Sequence, residues 1–504
     1  MARPMTMTEK ILAAHAGREE VSPGENVWVD VDILMTHDVC GPGTIGIFKD
    51  QFGQNAVPWD KDRVVIIPDH YIFTADDKCH RNVQILRDFV SEHGLKYYYD
   101  PDFINTEQGS GFPSPYRDPE NTNYKGVCHK ALPEEGHCRP GEILLGTDSH
   151  TCTAGAFGQF ATGVGNTDAA FVLGTGKTWL KVPPTMKFAF HGELPPYLTA
   201  KDLILAVIGQ IGVGGATYQT MYFAGSGIMD LSLEDRMTLT NMAIEAGGKN
   251  GICDVDEKTL DYVRHRSTRP EWTVYQDDPG AWYIYEAEWD LSQVEPLVAK
   301  PHSPDNTDLA KNCSDVALDQ AYIGSCTGGK ITDMIFAARV LEGQQVAIPT
   351  FVVPGSTEVH SDMQRLNVFG MPLGKHPSQA QGGHLVETAG RDRSASDEVN
   401  DIAEDDPRLH KSIQQVLEEA NCMIGASSCA ACLGGPKDTF GRLKDGVTCI
   451  STTNRNFPGR MGSKQSAVYL ASPLTVAASA LTGYVTDPRQ YVTAPIETGM
   501  AGVV

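Results

Sequence analysis

At 504 residues the chain exceeds what one hydrophobic core organises, and its length predicts about three domains. A formal charge of −23, with no basic cluster to offset it, argues against a dedicated nucleic-acid role, and 41% hydrophobic with 21% charged residues excludes a disordered or fibrous chain. The twelve cysteines are scattered and do not make a secreted disulfide framework; kept as thiols in a reducing compartment, they are free to bind metal.

The opening run MARPMTMTEKILAAHAG lacks the apolar core of a signal peptide and is too poor in arginine for a transit peptide, so the expected location is intracellular unless a transit sequence has been removed. Residues 26–35, NVWVDVDILM, alternate as one strand, and RVVIIPDH at 63–70 is a β-branched run that delivers Asp69 and His70 to a loop edge. The same pattern of apolar strand and polar turn recurs in GEILLGTDSHT, ALDQAYIGSCTGG, QVAIPTFVVPG and GVTCISTTNRNFPGR. Helical stretches at 200–211 and 330–341 alternate with these strands, which predicts α/β units on parallel sheets. In such sheets sites gather at the carboxyl ends of strands. Weak periodicity at 265–315 marks a boundary, and the polar, acidic segment 366–408 reads as a surface insertion. The uncharged run SAVYLASPLTVAASALTGYV carries too many Ser, Thr and Pro residues for a membrane span. It reads as a buried helix with Ser472 as N-cap, Pro473 in the first turn and Gly483 closing it.

Two motifs mislead. GPGTIG at 41–46 has the spacing of a dinucleotide loop but holds Pro42 and lacks a clear acidic partner. GTGKT at 174–178 ends like a phosphate loop, but Phe171 stands where the first glycine belongs.

SSCAACLGG places Cys429 and Cys432 on one short turn, and GSCTGG places Cys326 at a predicted strand end. From these residues alone three readings stay open: incidental buried thiols, a zinc site, or an iron-sulfur centre. Structural zinc wants four protein ligands, and no second pair accompanies these three. A 4Fe-4S cluster on three cysteines leaves one iron open to act as a Lewis acid.

GTDSHTCTAGAFGQFATGVGNTDA (146–169), YIGSCTGGK (322–330), SSCAACLGG (427–435) and STTNRNFPGRMG (451–462) closely resemble the signature segments of the aconitase superfamily. MTMTEKILA, LMTHDVCGPG, PDHYIFTADDK, KPHSPDN and LASPLTVAASALTGYVTDPR are most similar to its 3-isopropylmalate dehydratase large subunits, of leucine biosynthesis. The likeness covers nearly the whole chain apart from 366–408. It implies an α/β fold with three aconitase-type domains, near 1–200, 201–318 and 319–504, around a central iron-sulfur cluster cleft.

The resemblance also implies a chemistry. Cys326, Cys429 and Cys432 match the three ligands of a 4Fe-4S cluster, with Cys128 and Cys152 near the site. Asp69 and His70 match an acid pair, and Asp148, Ser149 and His150 match residues lining the substrate. His129 matches a histidine paired with Asp148, and His37 a substrate-contacting position. Asn454, Arg455 and Arg460 match cluster-proximal and carboxylate-binding positions; two guanidiniums suit a dicarboxylate. Arg236, Asn241 and Glu245 are weaker candidates, with salt bridging or capping as the equal alternative. The implied reaction is dehydration and rehydration that moves a hydroxyl to the adjacent carbon, interconverting 2- and 3-isopropylmalate. Homoaconitate hydratase and dimethylmalate-type dehydratase large subunits are the alternatives in the same class. An RNA-binding cluster sensor in the apo form is the alternative from another class, and a zinc-stabilised scaffold a further non-enzyme one.

The resemblance leaves the swivelling fourth domain of aconitases unassigned and implies a separate small subunit that carries it, in a heterodimer or heterotetramer, with a small dicarboxylate as substrate and neither nucleic acid nor membrane as partner. Plastid-type relatives add the stroma to the cytoplasm as a possible compartment. Two departures stand out: TMYFAG places Tyr222 where the family's histidine-supporting Glu is expected, and Lys330 closes GGK where many relatives have Arg.

Overall fold

The computed structural model describes residues 3–101, 123–377 and 402–492. Its first sheet runs in the order Tyr97–Tyr98, Val64–Ile66, Ile33–Thr36, Ile143–Gly146 and Phe160–Gly163, all parallel. The second, also parallel, runs Asn250–Cys253, Thr220–Ala224, Thr185–His191 and Tyr285–Asp290. The third runs Thr307–Leu309, Leu297–Ala299, Ala467–Ala471, Thr448–Ser451, Gln320–Ile323, Thr350–Val352 and Met423–Ile424. Its last five strands are parallel, while the first two run antiparallel at one edge. Strands such as Ile33–Thr36, Ile143–Gly146 and Gln320–Ile323 are buried along their whole length, because helices cover both sheet faces.

Residues 26–35 are two strands, not the expected one. Asn26–Asp30 pairs antiparallel with Lys177–Lys181, whereas Ile33–Thr36 sits at the centre of the first sheet. The break lies at Asp32, whose carboxylate accepts from His15 Nε2 at 2.6 Å, Arg63 Nη1 at 3.0 Å and the Ile143 N–H at 2.9 Å. Sheet pairing also departs from the expected divisions at 200 and 318, because Thr185–His191 joins the second sheet and Leu297–Ala299 and Thr307–Leu309 join the third. The weakly periodic stretch at 265–315 contains these edge strands, and Tyr285–Asp290 alternates between half-buried and exposed. The acidic insertion starts later than expected: Leu366, Asn367 and Val368 are buried, and residues 378–401 lie outside the described chain.

Local signals set the helices. Thr199 and Asp202 form a capping box at the start of helix Ala200–Ile211. Helix Pro473–Thr482 begins at Ser472 and ends at Gly483, with φ of 75°, as expected. GPGTIG lies within helix Gly41–Phe52, with Pro42 in its first turn. The aromatic core of the second sheet, Phe188, Phe190 and Phe223, is continuous with Tyr322, Val353 and Leu443 of the third.

The first and second units meet closely at Gly155, where a Cβ would overlap the Gly251 carbonyl oxygen. Gly155→Ala is expected to cost about 3 kcal/mol through overpacking and to lower the thermal midpoint by several degrees. A differential scanning measurement on the full chain checks this.

Candidate active site

Three of the first sheet's five strands deliver polar side chains beyond their carboxyl ends. Ile33–Thr36 leads into His37 and Asp38, Val64–Ile66 into Asp69 and His70, and Ile143–Gly146 into Asp148. Asp38, which the sequence reading did not single out, organises the second of these turns. Its Oδ1 accepts the N–H groups of Asp69 and His70 at 2.9 and 3.0 Å, and its Oδ2 that of Tyr71 at 2.7 Å. A lone Asp one residue beyond a histidine carries little signal in sequence; its value lies in three amides brought to it from another strand.

Asp69 is fully buried, with Oδ1 accepting from His70 Nδ1 at 2.6 Å and Oδ2 from the Cys128 N–H at 2.7 Å. Burial alone would raise its carboxyl, but the facing His70 charge and these donors hold it below the usual range. Burial likewise opposes the charge on His70, yet Asp69, Asp148 and Asp38 carry its imidazole well above the ordinary value. Its Nε2 lies 3.5 Å from Asp148 Oδ2. His37 stacks on it with ring centroids 4.2 Å apart, and burial, together with the charge on His70, lowers His37.

Asp148 is the shared carboxylate. Its Oδ1 accepts from His129 Nε2 at 2.6 Å and from the His150 N–H at 2.8 Å, which also starts the turn Ser149–Phe157. Burial would raise its carboxyl too, but His129 and the other donors hold it far below the usual range. His150 Nε2 donates to Glu245 Oε1 at 2.8 Å, and Ser149 Oγ lies 3.3 Å from His150 Nδ1. Glu245 in turn accepts from Arg455 Nε at 2.8 and 2.9 Å.

This corrects the expectation for Tyr222. Its hydroxyl donates to Asp254 Oδ2 at 2.7 Å, within the second sheet, and the carboxylate that supports His150 is Glu245. His150 therefore keeps its acidic partner. Of the three weaker candidates, Glu245 and Asn241 reach the site, whereas Arg236 is buried elsewhere, donating to Asp256 and to the Ile228 and Met229 carbonyls. Lys330 is tied to Asp333 at 2.5 Å at the start of helix Ile331–Leu341.

Cys326, Cys429 and Cys432 form a small buried group with Val127. Asn241 Nδ2 and Asn454 Nδ2 point at Cys326 Sγ from 3.1 and 3.3 Å, and Cys432 Sγ donates to Asn454 Oδ1 at 3.1 Å. The Cys429 N–H bonds the Asp69 carbonyl at 3.0 Å, joining the sulfur group to the acid pair. Burial pushes the Cys326 thiol up to about 11. Arg460 feels the opposite balance, because Cys432, Cys429 and Asp148 outweigh burial and raise its guanidinium. Three buried sulfurs with amide donors aimed at one of them fit a cluster held through three thiolates. His37 Nε2, His129 Nδ1 and Arg460 Nε are buried without a hydrogen-bond partner among the described residues, which suits a site built to receive a polar ligand. Cys128 and Cys152 lie close by: the Cys128 amide bonds Asp69, and the Cys152 thiol bonds the Asn241 carbonyl at 3.3 Å.

The sequence profile of the Aconitase family (aconitate hydratase) matches residues 9–370 and 394–483. The chain belongs to the aconitase family. Among its relatives, the chloroplastic 3-isopropylmalate dehydratase large subunit of Arabidopsis thaliana is 54% identical over 97% of this chain and 87% of its own length. The 3-isopropylmalate dehydratase large subunit of Aquifex aeolicus is 41% identical over 98% of this chain and 100% of its own. That of a Hydrogenobaculum species is 39% identical, covering 96% of this chain and 98% of the relative. Family membership makes the chain a hydro-lyase, and the expected α/β aconitase fold holds.

Two predictions follow from the carboxylate partners. Glu245→Gln is expected to lower turnover roughly 10–100-fold, while Tyr222→Phe leaves it near wild type; steady-state assays of both variants decide. The second concerns pH. His70 lies above its ordinary value, so its contribution to stability is complete below about 6.5 and fades as pH rises through the raised value. Asp69 lies below its ordinary value, so its contribution is present above about 3.8 and fades as pH falls. Asp69→Asn should cost about 3 kcal/mol between these limits and flatten the profile of thermal midpoint against pH.

Proposed function

We propose that the chain is the large, catalytic subunit of a hydro-lyase that interconverts 2- and 3-isopropylmalate in leucine biosynthesis, with a 4Fe-4S cluster on Cys326, Cys429 and Cys432. The observation that carries the reading is a connected set of three carboxylate-imidazole pairs, Asp69–His70, Asp148–His129 and Glu245–His150. They are joined through Asp148 and the His150 amide and tied to the buried sulfur group by the Cys429 N–H bond to the Asp69 carbonyl. The names of the relatives, dehydratase large subunits matched along nearly their whole length, support the substrate.

When bound, the cluster supplies a Lewis-acidic iron that polarises the hydroxyl to be expelled. His70, kept charged by Asp69 on Nδ1, delivers the proton from Nε2 that lets the hydroxyl leave as water. Asp148, locked between His129 and the His150 amide, holds that Nε2 on its bearing, and His37 is stacked where it can contact the substrate. Ser149 and His150 line the substrate, with Glu245 fixing the His150 ring. Arg455 donates its Nε to Glu245, and we assign its terminal nitrogens to one substrate carboxylate and Arg460 to the other. Asn454 and Asn241 orient the sulfur of Cys326.

The relatives' names include "large subunit", which supports a separate small-subunit partner. We assign that partner the swivelling domain, the base that removes the carbon-bound proton and the choice of substrate side chain. No helix among the described residues is long and apolar enough to cross a membrane. The chloroplastic relative supports a stromal location, with the cytoplasm as the alternative.

Anaerobically loaded protein, assayed on isopropylmalate, homocitrate and dimethylmalate, should turn over the first, and only with the small subunit present. Full turnover by this chain alone would refute the two-subunit arrangement, and preference for another substrate would refute the specificity. Cys326→Ser should fold yet lose the brown colour and most of the about four irons per chain.

A further inference from the structure

Among the described residues three lysines are buried, and two of them have acidic partners. Lys130 reaches Glu234 and Glu134, and Lys330 reaches Asp333. Lys201, 1% exposed, differs: no carboxylate among the described residues pairs with it. Its ammonium donates to the carbonyls of Thr452 at 3.0 Å and Thr453 at 2.6 Å and to Thr327 Oγ1 at 3.3 Å. It projects from the first turn of helix Ala200–Ile211, beside the second sheet, into two loops that follow strands of the third. One loop carries Cys326, next to Thr327; the other carries Asn454 and Arg455, next to Thr453. These loops are already sewn together, since Thr327 Oγ1 donates to the Thr452 carbonyl at 2.9 Å and Thr452 Oγ1 receives the Gly324 N–H at 2.9 Å. A buried cation without an anionic neighbour is unfavourable. Burial, with repulsion from Lys330, lowers this amine to about 7, and the opposing influences are the sulfurs of Cys326 and Cys432, then Asp333.

We propose that Lys201 is a positioning residue of this site, pinning the Cys326 loop to the Asn454 loop and serving as counter-charge to the cysteine thiolates when they hold the cluster. The proposal rests on the reading of the three cysteines given above. Metal ligation requires those sulfurs to be thiolates, so their charge arrives with the cluster and gives the ammonium the partner that carboxylates do not provide.

The test uses the full chain, reconstituted anaerobically with ferrous iron and sulfide, as wild type, Lys201→Gln and Lys201→Arg. Gln keeps a donor but removes the charge; Arg keeps the charge. The readouts are the reduction potential of the cluster, the rate of iron loss in air, and the thermal midpoint of the apo chain. Lys201→Gln should shift the reduction equilibrium roughly tenfold, about 59 mV to the negative, and should speed iron loss. Lys201→Arg should keep the wild-type potential. A Gln variant with wild-type potential and iron retention, whatever its apo stability, overturns the proposal, because a purely structural lysine would alter only the last readout. If the Gln variant is insoluble, the Arg variant decides: a wild-type potential supports the proposal, and a tenfold shift overturns it. A wild-type chain that takes up no cluster overturns the reading of the site and this role together, whereas a wild-type cluster indifferent to Lys201→Gln overturns this role alone.

Discussion

Everything at the site depends on keeping ionised groups out of water without leaving any of them uncompensated. Asp69 and His70 are both nearly inaccessible, and each favours the charged form of the other against the cost of burial. Asp148 extends the pairing to His129 and the His150 amide, and Glu245 extends it through His150 to Arg455. The result is a chain of alternating acids and bases whose geometry is fixed before substrate arrives. Pre-set charge of this kind suits an elimination, in which a proton must be available at one atom and a carboxylate must be gripped at another.

The fold meets this demand with parallel sheets. Every strand of the first sheet points its carboxyl end the same way, so residues far apart in sequence arrive side by side. Asp38 shows the precision involved, because one carboxylate holds three successive amides of the neighbouring turn and thereby aims His70. The third sheet brings its own strand ends to the same place, with Cys326 after Gln320–Ile323 and Asn454 after Thr448–Ser451.

Beside the apolar contact between the second and third sheets, buried polar contacts also join the units next to the candidate site residues. Lys130, adjacent to His129, reaches Glu234 of helix Leu233–Asn241, and Glu234 accepts the N–H and hydroxyl of Thr332 at 3.0 and 2.8 Å. One carboxylate thus joins all three units, and the helix carrying it ends at Asn241, which touches Cys326. The buried ammonium of Lys201 makes a parallel connection between the second unit and the third. Such contacts favour one relative placement of the units, because a displaced unit would strand buried charge.

Much of this was legible in the chain. Strand-then-polar-turn grammar located Asp69, His70, Asp148, Cys326 and Asn454, because apolar runs and their interruptions are local properties. The caps of helix Pro473–Thr482 were legible for the same reason. Other features were not. The split of residues 26–35 depends on Asp32 meeting His15, Arg63 and Ile143, and the membership of Thr185–His191 and Leu297–Ala299 depends on which strands they pair with. The partner of His150 was sought at Tyr222 by motif position, but a side chain's partner is set by distance in space, and Glu245 occupies it. By itself the sequence determined the chemical inventory, the strand and helix grammar and the family. Only the tertiary structure decided which acid faces which base, because those pairings are long-range contacts whose energy exists once the sheets have brought them together.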